Sequence, residues 1–509
     1  MQEPAILQAD KKAGVAMHIS SLAGPHGIGD IGDSALAFVD TLARMKLKVW
    51  QFLPTGPTAY GDSPYQPLSA FAGNEMLIGI NPLVRQGLLT PVEAGALTGL
   101  SPESVDYGQL IPVKHSVLAK AAGRFSSTAS SALKASYDDF LNLNDSRWLA
   151  DYAIYRVLKT MHGERPWPEW DGSFMHREKA AMQKLRESKR EAIEHIKIIQ
   201  FLFEHQWQTL KQYAGGKGIR LFGDMPIYIA LDSADAWANP ELLLIDRNGR
   251  PSHVAGVPPD YFSADGQLWG NPLYDWEFHE SSGYQWWIER VRHAADQLDL
   301  VRIDHFRGFE AFWSVRFGAE TARNGEWLPG PGHNLFDSMQ AALGYLPIIA
   351  EDLGVITPEV DNLRHRHGIP GMKVLQFEVG NPDFVLVNIE ENCVCYTGTH
   401  DNDTTVGWFS GGDDDTRSEQ ELLETRQNVL RLTGGIAGTI HLDMIRLALD
   451  SPARLAIVPM QDFLGLGSEA RLNVPGTTLD NWRWRVSEEQ LSPEFCESVA
   501  RMIGESSRT

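Results

Sequence analysis

The chain has 509 residues, 43% of them apolar, which is enough for one large domain with insertions or for about two or three ordinary domains. Its formal charge of −21, from 66 acidic and 45 basic residues, argues against a nucleic-acid backbone or an anionic membrane surface as the main partner, whereas a neutral ligand is not repelled. The sequence lacks a Cys-x-x-Cys pair, an apolar start typical of a signal peptide and any apolar run of about 18 residues, so we expect a cytoplasmic protein.

Short apolar runs bounded by Gly, Pro or Ser recur along the chain and predict buried β-strands. The first two runs are separated by an amphipathic helix over residues 33–47, with Asp33 or Ser34 as its N-cap. Another helix is predicted over residues 333–344. Eight strands alternating with helices predict an α/β fold, a (β/α)₈ TIM-type barrel with right-handed crossovers. The eight runs span residues 14–22, 48–54, 219–229, 298–306, 346–354, 372–379, 393–401 and 455–463.

The uneven spacing of these runs predicts two insertions at the C-terminal face of the barrel. Residues 55–217 are too long for one βα connection and include a long helical run over residues 178–214, which predicts a mainly helical subdomain. Residues 230–290 are rich in Pro, Gly, Trp and Tyr and predict a loop-rich lid. We therefore expect no separate C-terminal β-domain and divide the chain into first barrel strands (1–54), helical insertion (55–217), strand three (218–229), lid (230–290) and the rest of the barrel with the C-terminal segment (291–509).

Carboxylates lie at the ends of four predicted strands, where TIM-type barrels place their reacting groups. They are Asp224, Asp304, Glu351 and Asp401, and Asp462 on the last strand is a candidate fifth. Aspartate is also common at strand ends as a helix N-cap or turn former, and that alternative applies to each residue alone. Four acids in this setting favour a shared active site.

The neighbours of these acids indicate different protonation states. Arg302 and Asp304 alternate along one strand and share a face, so we expect the guanidinium to hold Asp304 ionised. Glu351 ends an apolar run, and desolvation should raise its pKa, although the like charge of Asp352 adjoins it. One ionised and one protonated carboxyl, about 5 to 5.5 Å apart, are what retaining cleavage of a glycosidic bond requires.

Several long motifs resemble the 4-α-glucanotransferases called amylomaltases or disproportionating enzymes, within the α-amylase superfamily. The resemblance runs from about residue 14 to 485, in order, and is therefore specific. The motifs are AYGDSPYQPLSAFAGN (59–74), VPPDYFSADGQLWGNPLYDW (257–276), VRIDHFRGFEAFW (301–313), AEDLGVITPEV (350–360), GMKVLQFE (371–378), YTGTHDNDTT (396–405) and GSEARLNVPG (467–476).

The resemblance implies a role for each acid in turn. Asp304 matches the nucleophile, which forms a β-glucosyl ester, and Glu351 matches the general acid/base. Asp401 matches the third acid, which binds sugar hydroxyls and supports the transition state. Arg302 matches the arginine beside the nucleophile, and His400 matches a histidine that hydrogen-bonds the sugar in the −1 subsite.

Further substrate contacts are implied in the same way. Asp224 falls at the aspartate of strand three, and Tyr60 matches the aromatic platform under the −1 ring. Gln267 and Trp269 lie on the loop that covers the acceptor side, and Asn473 matches a sugar-binding position.

An aromatic lid would favour a sugar over water as the acceptor. The candidate lid aromatics are Tyr261, Phe262, Trp269, Tyr274 and Trp276, for which ordinary loop packing is the alternative.

The function that the resemblance implies is transfer of α-1,4-glucan segments between maltodextrins by a retaining double displacement. A hydrolase of the same superfamily and a non-catalytic glucan-binding protein are the alternatives. We expect no cofactor and no metal. We expect maltooligosaccharides and α-1,4-glucans as partners, neither nucleic acid nor membrane, and a monomer or weak homodimer.

Overall fold

The strands are short and mostly buried in the computed structural model, which describes residues 10–259, 265–412 and 415–508. They are β1 (Lys12–Ala16), β2 (Val49–Gln51), β3 (Arg220–Pro226), β4 (His253–Val257), β5 (Gln267–Pro272), β6 (Leu300–Asp304), β7 (Ala311–Arg316), β8 (Gly325–Pro329), β9 (Ile348–Ala350), β10 (Gly371–Val374), β11 (Cys393–Tyr396) and β12 (Leu455–Pro459).

Eight of these strands form one parallel sheet that curls into a nearly closed barrel. Their order around the barrel, β1-β2-β3-β6-β9-β10-β11-β12, is their order along the chain. The Ala350 amide donates to the Pro370 carbonyl at 2.8 Å and so links β9 to the start of β10. Apolar side chains fill the barrel, among them Phe222, Leu300 and Ile457. The predicted (β/α)₈ barrel is confirmed.

Helices surround the barrel and fill its longest connections. They are α1 (Asp33–Arg44), α2 (Ile80–Arg85), α3 (Pro91–Ala94), α4 (Tyr107–Thr128), α5 (Ser131–Asn144), α6 (Ala150–Met161), α7 (Gly172–Met175), α8 (Lys179–Ser188), α9 (Arg190–Gly216), α10 (Ala234–Ala238), α11 (Trp276–Ser281), α12 (Gln285–Gln297), α13 (Gly332–Leu343), α14 (Pro358–Arg366), α15 (Leu375–Glu378), α16 (Thr405–Ser410), α17 (Glu419–Thr433), α18 (Ile440–Asp450), α19 (Met460–Leu464) and α20 (Pro493–Glu505).

The long segment between β2 and β3 is largely helical. Its helices α4, α5 and α9 pack through an aromatic cluster in which Phe201 contacts Phe125, Tyr137 and Phe140 edge-on or tilted. Such aromatic pairs contribute about 0.5–1.5 kcal/mol each beyond the area they bury. The helical run predicted over residues 178–214 is broken between α8 and α9, at Lys189.

A second sheet lies beside the barrel. It is antiparallel with the order β5-β4-β7-β8, so it joins the segment before β6 to the segment after it. Residues 230–290 therefore hold strands and helices where the sequence predicted mainly loops. This sheet carries Gln267 and Trp269 on β5, next to the end of β6.

Local details depart from the sequence prediction at several element ends. The apolar run over residues 372–379 is a strand only to Val374 and then continues as α15, because an apolar run alone does not distinguish strand from buried helix. Asp33 is the first residue of α1 and Gly32 is the N-cap. Asp30 accepts hydrogen bonds from the amides of Gly32 and Ser34 instead.

No strand follows β12 in the described part of the chain, where α19 and α20 complete the fold. Among the described residues, none of the helices combines the length and apolarity that a membrane span requires.

Candidate active site

The predicted acids converge at the C-terminal ends of the barrel strands. Asp304 is the last residue of β6, and Glu351 directly follows β9, its neighbour in the sheet. Asp224 on β3 pairs in register with Arg302 on β6, and Asp401 follows β11. Neighbouring strands lie about 4.8 Å apart, so Asp304 and Glu351 face the same opening. The structure brings these residues together as the sequence predicted.

Arg302 is the cation at the centre of this group. Its Nη2 lies 2.7 Å from Asp304 Oδ1 and 2.9 Å from Asp224 Oδ2. The side chain of Arg302 is 4% exposed, whereas that of Asp304 is 33% exposed. The guanidinium is therefore fixed inside the barrel, and the carboxyl group that it contacts remains accessible to a substrate.

Asp304 is more easily protonated than the sequence predicted. Burial raises its pKa to about 8 even though the Arg302 charge lowers it, because Glu351, Asp224 and Asp401 add negative charge nearby. We expected Arg302 to hold Asp304 ionised. The Arg302 charge does lower this pKa, but burial and the neighbouring acids raise it by more, which favours a single proton shared between Asp304 and Glu351.

Glu351 has the raised pKa that its apolar setting predicted, with burial as the main cause. The backbone amides of His305 and Leu353 donate to its two oxygens at 2.6 and 2.9 Å. Asp352 turns away from it and accepts from the Met372 amide at 2.6 Å. Glu351 is thereby held in one orientation against the residue that follows Asp304.

Asp401 is held by its chain neighbour His400 and by two residues of the loop after α19. Its Oδ1 accepts a hydrogen bond from Asn473 at 2.6 Å and lies 3.4 Å from His400 Nε2. Arg471 donates to its backbone carbonyl at 2.9 Å. Burial lowers the pKa of His400, so at neutral pH the imidazole is uncharged. Asn473 therefore lies beside Asp401, and its predicted contact with a sugar stays a prediction.

Tyr65 belongs to the site but was missed from the sequence. Its hydroxyl group donates to Asp224 Oδ2 at 2.7 Å and accepts from Arg302 Nη2 at 3.3 Å. Its ring stacks on His400, with centroids 5.1 Å apart and an interplanar angle of 16°. Tyr65 lies in the motif AYGDSPYQPLSAFAGN, five residues after the predicted platform residue Tyr60, but nothing in the motif itself distinguishes it as a site residue.

The predicted lid residues lie in two different places, some beside the acids and some in the core. Trp269 lies edge-on to His305 at 4.7 Å, and its indole donates to Gln267 at 3.1 Å, so both side chains adjoin the site. Tyr274 is buried and donates to the Ile227 carbonyl at 2.8 Å, so it is core packing and does not belong to a lid. Trp276 packs on Trp287 in the same core cluster.

Three predicted residues cannot be placed by their side chains. Tyr261 and Phe262 lie outside the described residues, and so does the side chain of Tyr60. Their predicted contacts with substrate stay predictions.

Asp462, the candidate fifth acid, is a structural anchor. It is 1% exposed and lies in the first turn of α19. Its oxygens accept from Thr397 Oγ1 at 2.5 Å and from Thr405 N and Oγ1 at 2.7 and 2.8 Å. The alternative that strand-end aspartates can serve structure applies to this residue, which fixes both ends of the loop that carries Asp401.

A cavity opens at the ends of β1, β2, β11 and β12. Arg302 and His400 line it together with His18, Gln51 and Arg471. No group of three His, Cys, Asp or Glu side chains suited to a metal ion occurs among residues 10–259, 265–412 and 415–508.

The sequence profile described as 4-alpha-glucanotransferase matches residues 17–491. The chain belongs to the 4-alpha-glucanotransferase family. It is 46% identical over 491 residues to the 4-alpha-glucanotransferase of Synechocystis sp., covering 95% of each chain. It is 43% identical over 494 residues to that of Thermus thermophilus, covering 96% of this chain and 97% of the other.

Among solved structures, the amylomaltase from Streptococcus agalactiae in complex with acarbose matches with a TM-score of 0.92 and 37% identity, covering 98% of this chain and 99% of the other. The family resemblance read from the motifs is confirmed. As a 4-alpha-glucanotransferase, the chain is an enzyme that transfers glycosyl groups, and the acids around Arg302 occupy the mouth of its barrel.

Proposed function

We propose that Asp304, Glu351 and Asp401 carry out the glycosyl transfer for which the 4-alpha-glucanotransferase family is named. Asp304 is the nucleophile, Glu351 is the general acid and base, and Asp401 stabilises the transition state through the sugar hydroxyls. The observation that carries this assignment is the pair of accessible carboxyl groups on neighbouring strands, one of them in contact with Arg302. The spacing of paired strands, about 4.8 Å, suits the carboxyl separation of about 5 to 5.5 Å in retaining enzymes.

In the first step, an oxygen of Asp304 attacks C1 of a glucosyl unit in the donor. The bond between C1 and the glycosidic oxygen breaks, and Glu351 gives its proton to that oxygen, which leaves as the free 4-hydroxyl of the first product. The product of this step is a β-glucosyl ester on Asp304 and an ionised Glu351.

In the second step, the 4-hydroxyl of an acceptor glucan attacks the same C1. Glu351 takes the proton from this hydroxyl group, the ester bond to Asp304 breaks, and a new α-1,4 bond forms. Each displacement inverts C1, so the α-configuration is retained. The two steps leave Asp304 and Glu351 in their starting states.

The raised pKa values of the two acids support this division of labour. Asp304 and Glu351 compete for one proton, because burial and mutual repulsion disfavour a doubly ionised pair. Arg302 contacts Asp304 directly at 2.7 Å, so the charge resides on Asp304 and the proton on Glu351. These are the states in which the first step begins.

Substrate contacts follow from the geometry around the acids. Asn473 and His400 both adjoin the Asp401 carboxylate and orient it toward sugar hydroxyls. Gln267 and Trp269, from β5, adjoin the nucleophile side through His305. We assign Tyr60 to the platform under the reacting ring and Asp224 to the support of Arg302.

Whether a sugar or water completes the second step decides between a transferase and a hydrolase. Maltotriose incubated alone and resolved by thin-layer chromatography should give glucose plus a ladder of longer maltodextrins. Glucose and maltose without longer products would instead indicate a hydrolase. Binding of maltodextrin without any product would indicate a non-catalytic glucan-binding protein.

We further infer that the substrates are maltooligosaccharides and longer α-1,4-glucans, and that a cytoplasmic monomer or weak homodimer acts on them without a cofactor. The net charge of −21 supports neutral substrates over nucleic acid or an anionic membrane. Neither displacement calls for a cofactor. Size-exclusion chromatography with light scattering tests the assembly, and a molar mass of a stable tetramer or larger would contradict it.

A further inference from the structure

Three oxygens surround one nitrogen at the centre of the site. Arg302 Nη2 carries two hydrogens and lies 2.7 Å from Asp304 Oδ1, 2.9 Å from Asp224 Oδ2 and 3.3 Å from the Tyr65 hydroxyl group. Two hydrogens cannot serve three acceptors equally well. The donor geometry directs them to Asp304 and to Tyr65, and Asp224 receives its hydrogen bond from Tyr65 at 2.7 Å.

The Tyr65 hydroxyl group therefore acts as a relay, by which we mean that it accepts a hydrogen bond from the guanidinium and donates one to Asp224. The bond to Asp224 stabilises the charge of that carboxylate, so Arg302 can keep its hydrogen bond to Asp304. Asp224 depends on the bond from Tyr65, because its side chain is 1% exposed and its other oxygen, Oδ1, has no hydrogen-bond partner among the described residues. Without the hydroxyl group, Asp224 would draw the Nη2 hydrogens to itself.

We propose that Tyr65 is a positioning residue whose hydroxyl group reserves Arg302 for Asp304 and whose ring fixes His400. The proposal rests on the assignment of Asp304 as the nucleophile. Tyr65 reaches the site from the loop after β2, at the start of the long helical segment, and so joins that segment to the barrel acids.

The ring of Tyr65 has a separate role. It is parallel to His400 within 16° and lies 6.2 Å from the buried ring of Trp482, which also lies 6.1 Å from His400. Two aromatic side chains thus hold the imidazole that adjoins Asp401. The hydroxyl group and the ring can be removed one at a time, because phenylalanine keeps the ring.

The pH at which Asp304 ionises should depend on the hydrogen bonds of the Tyr65 hydroxyl group. The charged groups that face Asp304 are Arg302 on its own strand, Glu351 from the β9 end, Asp224 on β3 and Asp401 from the β11 loop. His400 faces Tyr65 and is uncharged at neutral pH, since burial lowers its pKa. Loss of the Tyr65 hydroxyl group makes Asp224 compete for Arg302, so ionisation of Asp304 requires a higher pH.

The test compares Tyr65→Phe with wild type in kcat/KM for maltotriose disproportionation, from about pH 4 to pH 9. We expect the acidic limb of the kcat/KM profile to move to higher pH by roughly one unit, so that kcat/KM at pH values below the limb falls about tenfold. The deficit should shrink as the pH rises past the limb. Tyr65→Leu, which also loses the ring, should add a rise in KM because His400 is no longer held.

Tyr155→Phe is the matched control. It removes a tyrosine hydroxyl group that donates to an aspartate, Asp232, at 2.7 Å, but between the helical segment and a loop away from the acids. Its pH profile should match that of wild type. Circular dichroism and the thermal midpoint check that each variant is folded.

A Tyr65→Phe enzyme that loses activity by the same factor at every pH, or that keeps the wild-type profile, overturns the relay. Failure of the nucleophile assignment has a different signature, since it would show as an active Asp304→Asn enzyme. The two outcomes are measured on different variants and are therefore distinguishable.

Discussion

Replacement of Arg302 probes the electrostatic design of the site. Arg302→Met removes the cation that lies within 3 Å of both Asp304 and Asp224, and it leaves a buried Asp224 and a partly exposed Asp304 beside Glu351. Loss of one partner of a buried ion pair costs about 3–5 kcal/mol, a factor of roughly 10² to 5 × 10³ if it falls wholly on the ionised nucleophile. The pKa of Asp304, already raised by burial, rises further without the opposing charge.

The sign of the pH effect follows from this rise. Asp304 reacts only when ionised, so a higher pKa moves the acidic limb of kcat/KM to higher pH and lowers activity at neutral pH. Arg302→Lys keeps a charge but loses the planar fork, and its limb should fall between those of wild type and Arg302→Met. Initial rates of glucose release from maltotriose across the pH range supply the measurement.

An Arg302→Met enzyme with the wild-type acidic limb, even at reduced kcat, would refute this reasoning. It would mean that the guanidinium contact at 2.7 Å does not govern the charge on Asp304. Arg220→Met is a suitable control, because Arg220 pairs with Asp299 on the surface at the opposite end of β3. Its profile should be unchanged.

Further predictions concern the acids and their supports. In rate assays with maltotriose, Asp304→Asn should lower kcat by at least about 10⁴-fold, and Glu351→Gln should lower it by roughly 10²–10⁴-fold. A donor with a fluoride leaving group should restore the first step in the Glu351→Gln enzyme, because fluoride leaves without a proton. Asn473→Ala should lower kcat/KM by roughly ten- to a hundredfold, since it removes the 2.6 Å bond to Asp401, and an unchanged kcat/KM would contradict that bond's role. Asp462→Ala should lower the thermal midpoint and raise KM, because it leaves the donors of the loop that carries Asp401 unpaired; a full KM effect without destabilisation would argue for direct substrate contact instead.

Much of the barrel could be predicted from the sequence, because buried parallel strands are short apolar runs in the sequence and the reacting acids lie at their C-terminal ends. Asp304 and Glu351 were correctly placed on neighbouring strands for this reason. The precise ends of the runs could not be read, as α15 shows. Apolar residues are equally suited to the end of a strand and to the first turn of a buried helix.

The site residues that escaped prediction depend on contacts between distant parts of the chain. Tyr65 meets Asp224, Arg302 and His400 only after the loop following β2 folds over the barrel, and no local pattern encodes that meeting. The raised pKa of Asp304 likewise depends on burial and on three other acids. Its sequence neighbour Arg302 predicted the opposite shift.

Trapping of the glycosyl-enzyme tests the central assignment most directly. A donor with a fluoride leaving group, given to the Glu351→Gln enzyme without acceptor, should form the ester and leave it without a base to activate water. Proteolysis and mass spectrometry should then find one glucosyl unit on Asp304, in the peptide that contains residues 301–309. A label on any other residue, or rapid turnover with no label on Asp304, would contradict the account.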